Sequence, residues 1–309
     1  MKYLKLIRYQ NLLLLAFMQV IFRYGFLKFQ NIFLALSDWQ YGLLVLSTVL
    51  IAAAGYIIND IMDQETDHDN KPESTIVGKR ISEKAAYNLY FILNISGVVI
   101  GYYLANVIHK SSFAGAFIIV SATLYMYATN LKQMLLIGNI IVAMLLSFSV
   151  LIIGLFDLLP ATYDDNQAEM GVIFSILIDY AVFAFIINLI REIIKDMEDV
   201  DGDYNQGMST LPIAIGVNKA SNVVSVLAII ATAVLLWYIN SNLMLSKLYY
   251  AVIYGLLLLV GPMIFVAIKV WNANSKKELH LLSTILKWVI FFGILSILVI
   301  TLNIKYNVK

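Results

Sequence analysis

Cysteine is absent from the 309 residues, histidine occurs three times and proline four times. Without cysteine there can be no disulfide, thiolate nucleophile, zinc–thiolate site or iron–sulfur cluster. Three histidines leave any metal site to oxygen ligands. Charge is scarce too, at 13% of residues against about 25% in an ordinary soluble domain. The 21 basic and 20 acidic side chains sum to +1, so net charge points to no nucleic-acid partner. What fills the chain instead is apolar: 61% hydrophobic residues and a mean hydropathy of +0.82. That composition excludes both a water-soluble globule and a disordered chain, which needs low hydrophobicity. It leaves a polytopic membrane protein.

The long apolar runs lack the alternation of barrel strands and contain almost no proline, so they predict an all-α protein. At roughly 20 residues per span, nine helices fit: 11–29, 40–60, 87–108, 112–130, 135–158, 170–196, 220–240, 247–270 and 286–304. Lys2, Lys5 and Arg8 precede the first run as in a signal sequence, yet no small-residue cleavage site follows it. It reads as a retained span. With the N-terminus in the cytoplasm, fifteen of the 21 Lys and Arg residues fall on that side and six on the other. The positive-inside tendency therefore favours a cytoplasmic N-terminus. The acidic connection Asp157–Glu169, free of Lys and Arg, suits the outer side.

The carboxylates are not scattered. Asp60, Asp63 and Asp67 follow the second predicted helix at i, i+3, i+7, and Asp196, Asp199 and Asp203 follow the sixth at the same spacing. Each pair is offset by 136 residues, and Ser74-Thr75 is echoed by Ser209-Thr210 at 135. An internal duplication of this kind is common in membrane proteins. It makes residues 1–309 a single transmembrane domain with a pseudo-repeat centred on 60–67 and 196–203. If each helix continues past the membrane surface, the spacing puts three carboxylates on one face. Both clusters end even-numbered helices, so both are expected on the cytoplasmic side, facing one another. Two like charges 4 Å apart repel by ~4 kcal/mol at an effective dielectric of about 20. Six converging carboxylates therefore call for cations. Oxygen-only ligation favours magnesium, calcium or manganese, and magnesium commonly shares its shell with substrate phosphates. Lys71, Lys79 and Arg80 follow the first cluster, Arg191 and Lys195 lie in the second, and Lys132 sits in the short loop after helix four. Such residues could donate to a departing diphosphate.

At these residues the chain resembles the UbiA superfamily of intramembrane prenyltransferases, nine-helix enzymes with two Asp-rich motifs after helices two and six. The first motif is Asn59, Asp60, Asp63 and Asp67, followed by Asp69-Asn70-Lys71-Pro72. The second is the run from Arg191 to Asp203, closed by Thr210-Leu-Pro-Ile. This run looks most like the digeranylgeranylglyceryl phosphate synthase branch. The resemblance extends to Arg8-Tyr-Gln-Asn11, Tyr127, Lys132 and Gly138-Asn139. Where many relatives carry basic residues after the first motif, this chain has His68 and Ser74-Thr75, with Gln64 after the middle Asp.

The resemblance implies that magnesium bridges the six aspartates and the diphosphate of an isoprenoid donor. It implies that Asn59 orients the diphosphate or a metal-bound water. Lys132, Lys195 and Arg191 would neutralise the leaving group, with Lys71 or Arg80 supplying further charge. Tyr127 or Tyr125 would face the allylic cation. Arg8, Asn11 and Asn139 are expected to bind substrate, and the isoprenoid tail to lie in an apolar groove open to lipid. The function expected is transfer of a prenyl group, specifically geranylgeranyl, to a lipid-type acceptor such as geranylgeranylglyceryl phosphate. Prenylation of an aromatic quinone precursor is the alternative acceptor. A divalent-cation or phosphate transporter is the rival from another class, separable because transporter sites lie near the bilayer midplane.

Overall fold

The computed structural model describes residues 2–64, 75–273 and 275–307. Among them lie nine helices long and apolar enough to cross a bilayer: α1 (Tyr9–Gln30), α2 (Asp38–Met62), α3 (Glu83–Val107), α4 (Ser111–Thr129), α5 (Ile137–Ala161), α6 (Gln167–Glu198), α7 (Val217–Met244), α8 (Tyr249–Asn272) and α9 (Lys276–Asn307). The chain is a multi-pass integral membrane protein. The expected spans recur within a few residues, except that α9 begins about ten residues early. Its first turns carry Lys276, Lys277, Glu278 and His280, which an apolar run does not include but a helix tolerates.

Side-chain chemistry sets the helix starts. Ser37 and Gln40 form a reciprocal capping box at α2, and the Ser82 hydroxyl accepts from the Ala85 N–H at α3. These bonds satisfy amide donors that a helix start otherwise leaves open. Outward positions are as apolar as inward ones: Phe91, Ile92, Ile95, Val99 and Tyr102 form an exposed stripe along α3. A helix apolar all round suits lipid as its solvent.

Consecutive helices pack as neighbours, and α6 also packs on α9, which packs on α1. The α2–α3 contact is close: a side chain at Gly97 would meet Ile51 Cγ1 at 2.6 Å, and the Ser47 hydroxyl donates to the Gly97 carbonyl at 2.7 Å. Ring closure leaves a central apolar cavity of about 230 Å³ with walls from α1, α2 and α5 through α9. Two helices facing it carry π turns, Ile239–Met244 in α7 and Leu256–Val260 in α8.

One buried charge network locks the end of the bundle that holds the α1–α2 connection. Arg23 donates to Asp157 Oδ2 at 2.6 Å and to the Leu36 carbonyl, while Asp157 Oδ1 accepts from the Leu36 N–H at 3.0 Å. Asp157, which ends the fifth expected span and opens the acidic connection, is a buried residue of α5, its charge compensated by Arg23, 134 positions away.

Candidate active site

At the other end of the bundle, both carboxylate clusters meet. The first cluster sits where α2 ends. Asp60 is within the last turn, and Asp63 is the residue after Met62. The second follows α6, but the helix does not run on unbroken as its spacing suggested. It stops at Glu198, Asp199 caps it, and a short helix Val200–Asn205 carries Asp203 to a buried position. The break turns the third carboxylate inward. Asp67 and Lys71 lie outside the described residues.

Asp60, Asp63 and Asp196 each have a polar neighbour from another part of the chain. Arg8 Nη2 donates to Asp60 Oδ1 at 3.0 Å, and its guanidinium stacks 5.0 Å from the Tyr56 ring. Arg8 holds a left-handed φ of 50° between the short helix Lys2–Leu6 and α1, which turns it across the mouth. Lys132 pairs with Asp63, and Asn59 donates to the other oxygen of the same carboxylate. Asn139 Nδ2 donates to Asp196 Oδ2 at 2.7 Å. Tyr127 on α4 is within electrostatic reach of Asp63 and Asp196 alike, so the two motifs face one another.

Lys132 reaches Asp63 because of a glycine. The α4–α5 loop folds back over the start of α5, and a Cβ at Gly138 would lie 2.8 Å from the Lys132 Cα. The loop after the second motif is tied to the same place, where the Ser209 N–H donates to the Gln133 carbonyl at 2.9 Å. One loop thus joins both halves of the site.

Arg191 and Lys195, expected to serve a leaving group, each contact Glu192, at 3.2 and 2.7 Å. Glu192 was missed because it lies four residues ahead of the i, i+3, i+7 pattern and outside it, although its place between two cations was visible in the sequence. Lys287 was read only as a topology charge. It donates to Asn11 Oδ1 at 3.1 Å, and both line the cavity with Tyr56 and Arg191. Among the described residues Lys287 has no carboxylate partner. No local signal could have linked positions 276 apart. Tyr125 is exposed on α4, and His280 lies outside the cluster, paired with Glu198 at 3.1 Å.

A divalent ion fits this residue set. Among the described residues, Asn59 Oδ1 is a buried acceptor with no hydrogen-bond partner, and the echoed Thr75 and Thr210 hydroxyls are buried and unpartnered as well. Orphaned buried oxygens are unusual in a folded protein, and Asn59 Oδ1, on the amide that donates to Asp63, suits a hard cation or its water. Among the described residues no three carboxylates close around a single point.

Fold and site together define an intramembrane enzyme class: carboxylate motifs at two helix ends, opening onto an apolar cavity. The chain belongs to the UbiA prenyltransferase family, whose model matches residues 26–301. It is 28% identical to the digeranylgeranylglyceryl phosphate synthase of Thermococcus kodakarensis over 86% of this chain and 88% of that one. Two solved structures share the fold. One, described as giving insights into digeranylgeranylglyceryl phosphate synthase in membranes, has a TM-score of 0.63 at 23% identity and covers 97% of both chains. The other, a UbiA homologue from Archaeoglobus fulgidus bound to GPP and Mg2+, has a TM-score of 0.56 at 16% identity and covers 96% of this chain and 99% of that one.

Proposed function

We propose that this protein transfers a geranylgeranyl group from its diphosphate to the free hydroxyl of geranylgeranylglyceryl phosphate, with magnesium. The observation that carries the reading is the pairing of Asp63 with Lys132 and of Asp196 with Asn139 at the end of the bundle where Tyr56 and Arg191 line one apolar cavity. Full-length similarity to digeranylgeranylglyceryl phosphate synthases supports the acceptor class.

In this reading Asp60, Asp63, Asp67, Asp196, Asp199 and Asp203 hold the metal, and Asn59 Oδ1 completes the set. Bound magnesium supplies charge neutralisation on the diphosphate as its bond to carbon breaks. Lys132 leaves Asp63 and donates to the departing phosphate oxygens. Such a charge-assisted bond gains strength as negative charge builds, which is where it accelerates the step. Arg191, Lys195 and Lys71 add positive potential around the leaving group. The Tyr127 ring faces the carbon left cationic. Arg8, Asn11 and Lys287 take the anionic head of the acceptor, while its hydrocarbon and the donor tail fill the cavity and keep water out.

A cytoplasmic mouth is supported by the positive-inside tendency, since fifteen of the 21 basic residues fall on that side when the N-terminus is taken as cytoplasmic. Carboxylates at helix ends, away from the midplane, argue against a transporter. The test is product formation from labelled geranylgeranyl diphosphate, offered geranylgeranylglyceryl phosphate and aromatic carboxylates in separate reactions. Label in a doubly prenylated glyceryl phosphate supports the reading. Label confined to prenylated aromatics replaces the acceptor, and no product from any acceptor overturns the function.

A further inference from the structure

A carboxylate lies far from the site, on the wall of the apolar cavity. Asp179 belongs to α6, and the cavity face of that helix reads Asp179, Phe183, Ala184, Ile187, Arg191. The spacing keeps one stripe of the helix on the cavity. Asp179 is twelve residues from Arg191, or about 18 Å at 1.5 Å per residue. It is seventeen residues from Asp196, or about 25 Å.

Polar groups ring the cavity at this depth. Tyr238 of α7 and Tyr254 of α8 line the same cavity as Asp179. The Tyr180 and Ser296 hydroxyls are 2.7 Å apart, and Tyr254 donates to the Phe292 carbonyl at 2.8 Å. Among the described residues Asp179 has no cationic partner. The π turn of α7 begins at the residue after Tyr238, and that of α8 two residues after Tyr254. Single π turns inside α-helices are frequent at functional sites. Roughly one more turn of apolar lining lies beyond the ring, from Leu243, Ala251 and Ile300.

We propose that Asp179 and Tyr238, with Tyr254, form a polar collar that sets the upper length of the isoprenoid tail this enzyme accepts. The inference rests on the prenyl-transfer reading above. An isoprene unit adds four backbone bonds, which project on the order of 5 Å when extended, from bonds of about 1.5 Å. A twenty-carbon tail is then roughly 20 Å long. With its diphosphate at the Asp196 level, its end arrives at the collar. A ten-carbon tail stops about halfway. A twenty-five-carbon tail must press its last unit against a carboxylate and a phenol, a contact that desolvates both and returns no hydrogen bond. Room for that unit exists beyond the collar, so polarity rather than a wall imposes the limit.

The test uses the full-length enzyme with one acceptor and three donors, geranyl, geranylgeranyl and geranylfarnesyl diphosphate, reading kcat/KM for each. The native protein is expected to favour the twenty-carbon donor over the twenty-five-carbon one by about tenfold or more, the scale at which a pocket rejects excess hydrocarbon. Asp179→Leu should bring that ratio to about twofold or less and leave geranyl turnover within about twofold of native. Tyr238→Phe, which removes only the hydroxyl, should move the ratio the same way by a smaller factor. It carries the test if Asp179→Leu turns over no geranyl donor. An unchanged ratio in a variant that handles geranyl normally overturns the collar alone, as does a native enzyme that takes both long donors equally. A native enzyme that turns over no donor overturns the prenyl-transfer reading, and the collar falls with it.

Discussion

Asp196→Ala is expected to lower prenyl transfer by about 10²–10³-fold, the scale seen when one electrostatic partner of a reacting group is removed. Asp60→Ala should do the same. Both carboxylates stand where a helix meets the mouth, and neither packs against the apolar core. Their effects on the metal-free protein should differ. Asp196 has an amide, Asn139, as its hydrogen-bond partner, so deleting it relieves repulsion from Glu192 and Asp203, which both act on it. The melting temperature without metal should hold or rise. Asp60 is the carboxylate that Arg8 grips, and its loss leaves that cation without this partner. Arg8 is largely open to solvent, so the penalty is small. Turnover per folded molecule, read beside a thermal melt, separates the metal role from a structural one. Near-native turnover in both variants would reduce the clusters to solvated surface charge.

Arg23→Ala should have the opposite signature, a large loss of stability with no loss of turnover per folded molecule. Arg23 is 2% exposed and Asp157 fully buried. Removing the guanidinium strands the carboxylate and releases the Leu36 carbonyl that Arg23 also holds. Breaking a buried pair from one side costs about 3–5 kcal/mol. In a chain of this size that lowers the melting temperature by on the order of 10 °C. The Tyr41 ring, 4.3 Å from the guanidinium, adds a contact that is lost as well. The network is at the end of the bundle away from the carboxylate motifs, so the surviving folded fraction should work normally. A melting temperature within a degree or two of native would show that the α1–α2 connection is held by something else.

The bundle was legible because lipid demands it: every span must be long, apolar and internally hydrogen-bonded. The site was legible in part because duplication repeats a pattern. The 136-residue offset paired Asp63 with Asp199 and Asp60 with Asp196 before any geometry was known. Hydropathy says nothing about which helices touch. Lys287 and Asn11 belong to the last and first spans, and only the closed ring of α1, α6 and α9 brings them together. The burial of Asp157 was hidden because its partner is 134 positions away. Glu192 was read past because it lies outside the repeated spacing, yet it is the residue to which Arg191 and Lys195 bind. The stop of α6 at Glu198 was hidden as well, since Asp199 is an acceptable helix residue and the break serves to bury Asp203.

If the two carboxylate motifs act together on a metal-bound diphosphate, prenyl transfer requires the metal. The direct measurement is transfer of labelled geranylgeranyl to geranylgeranylglyceryl phosphate by the purified protein, before chelation, after EDTA, and after magnesium is returned. Product should disappear with EDTA and reappear with magnesium. Undiminished product in metal-free buffer would contradict the account.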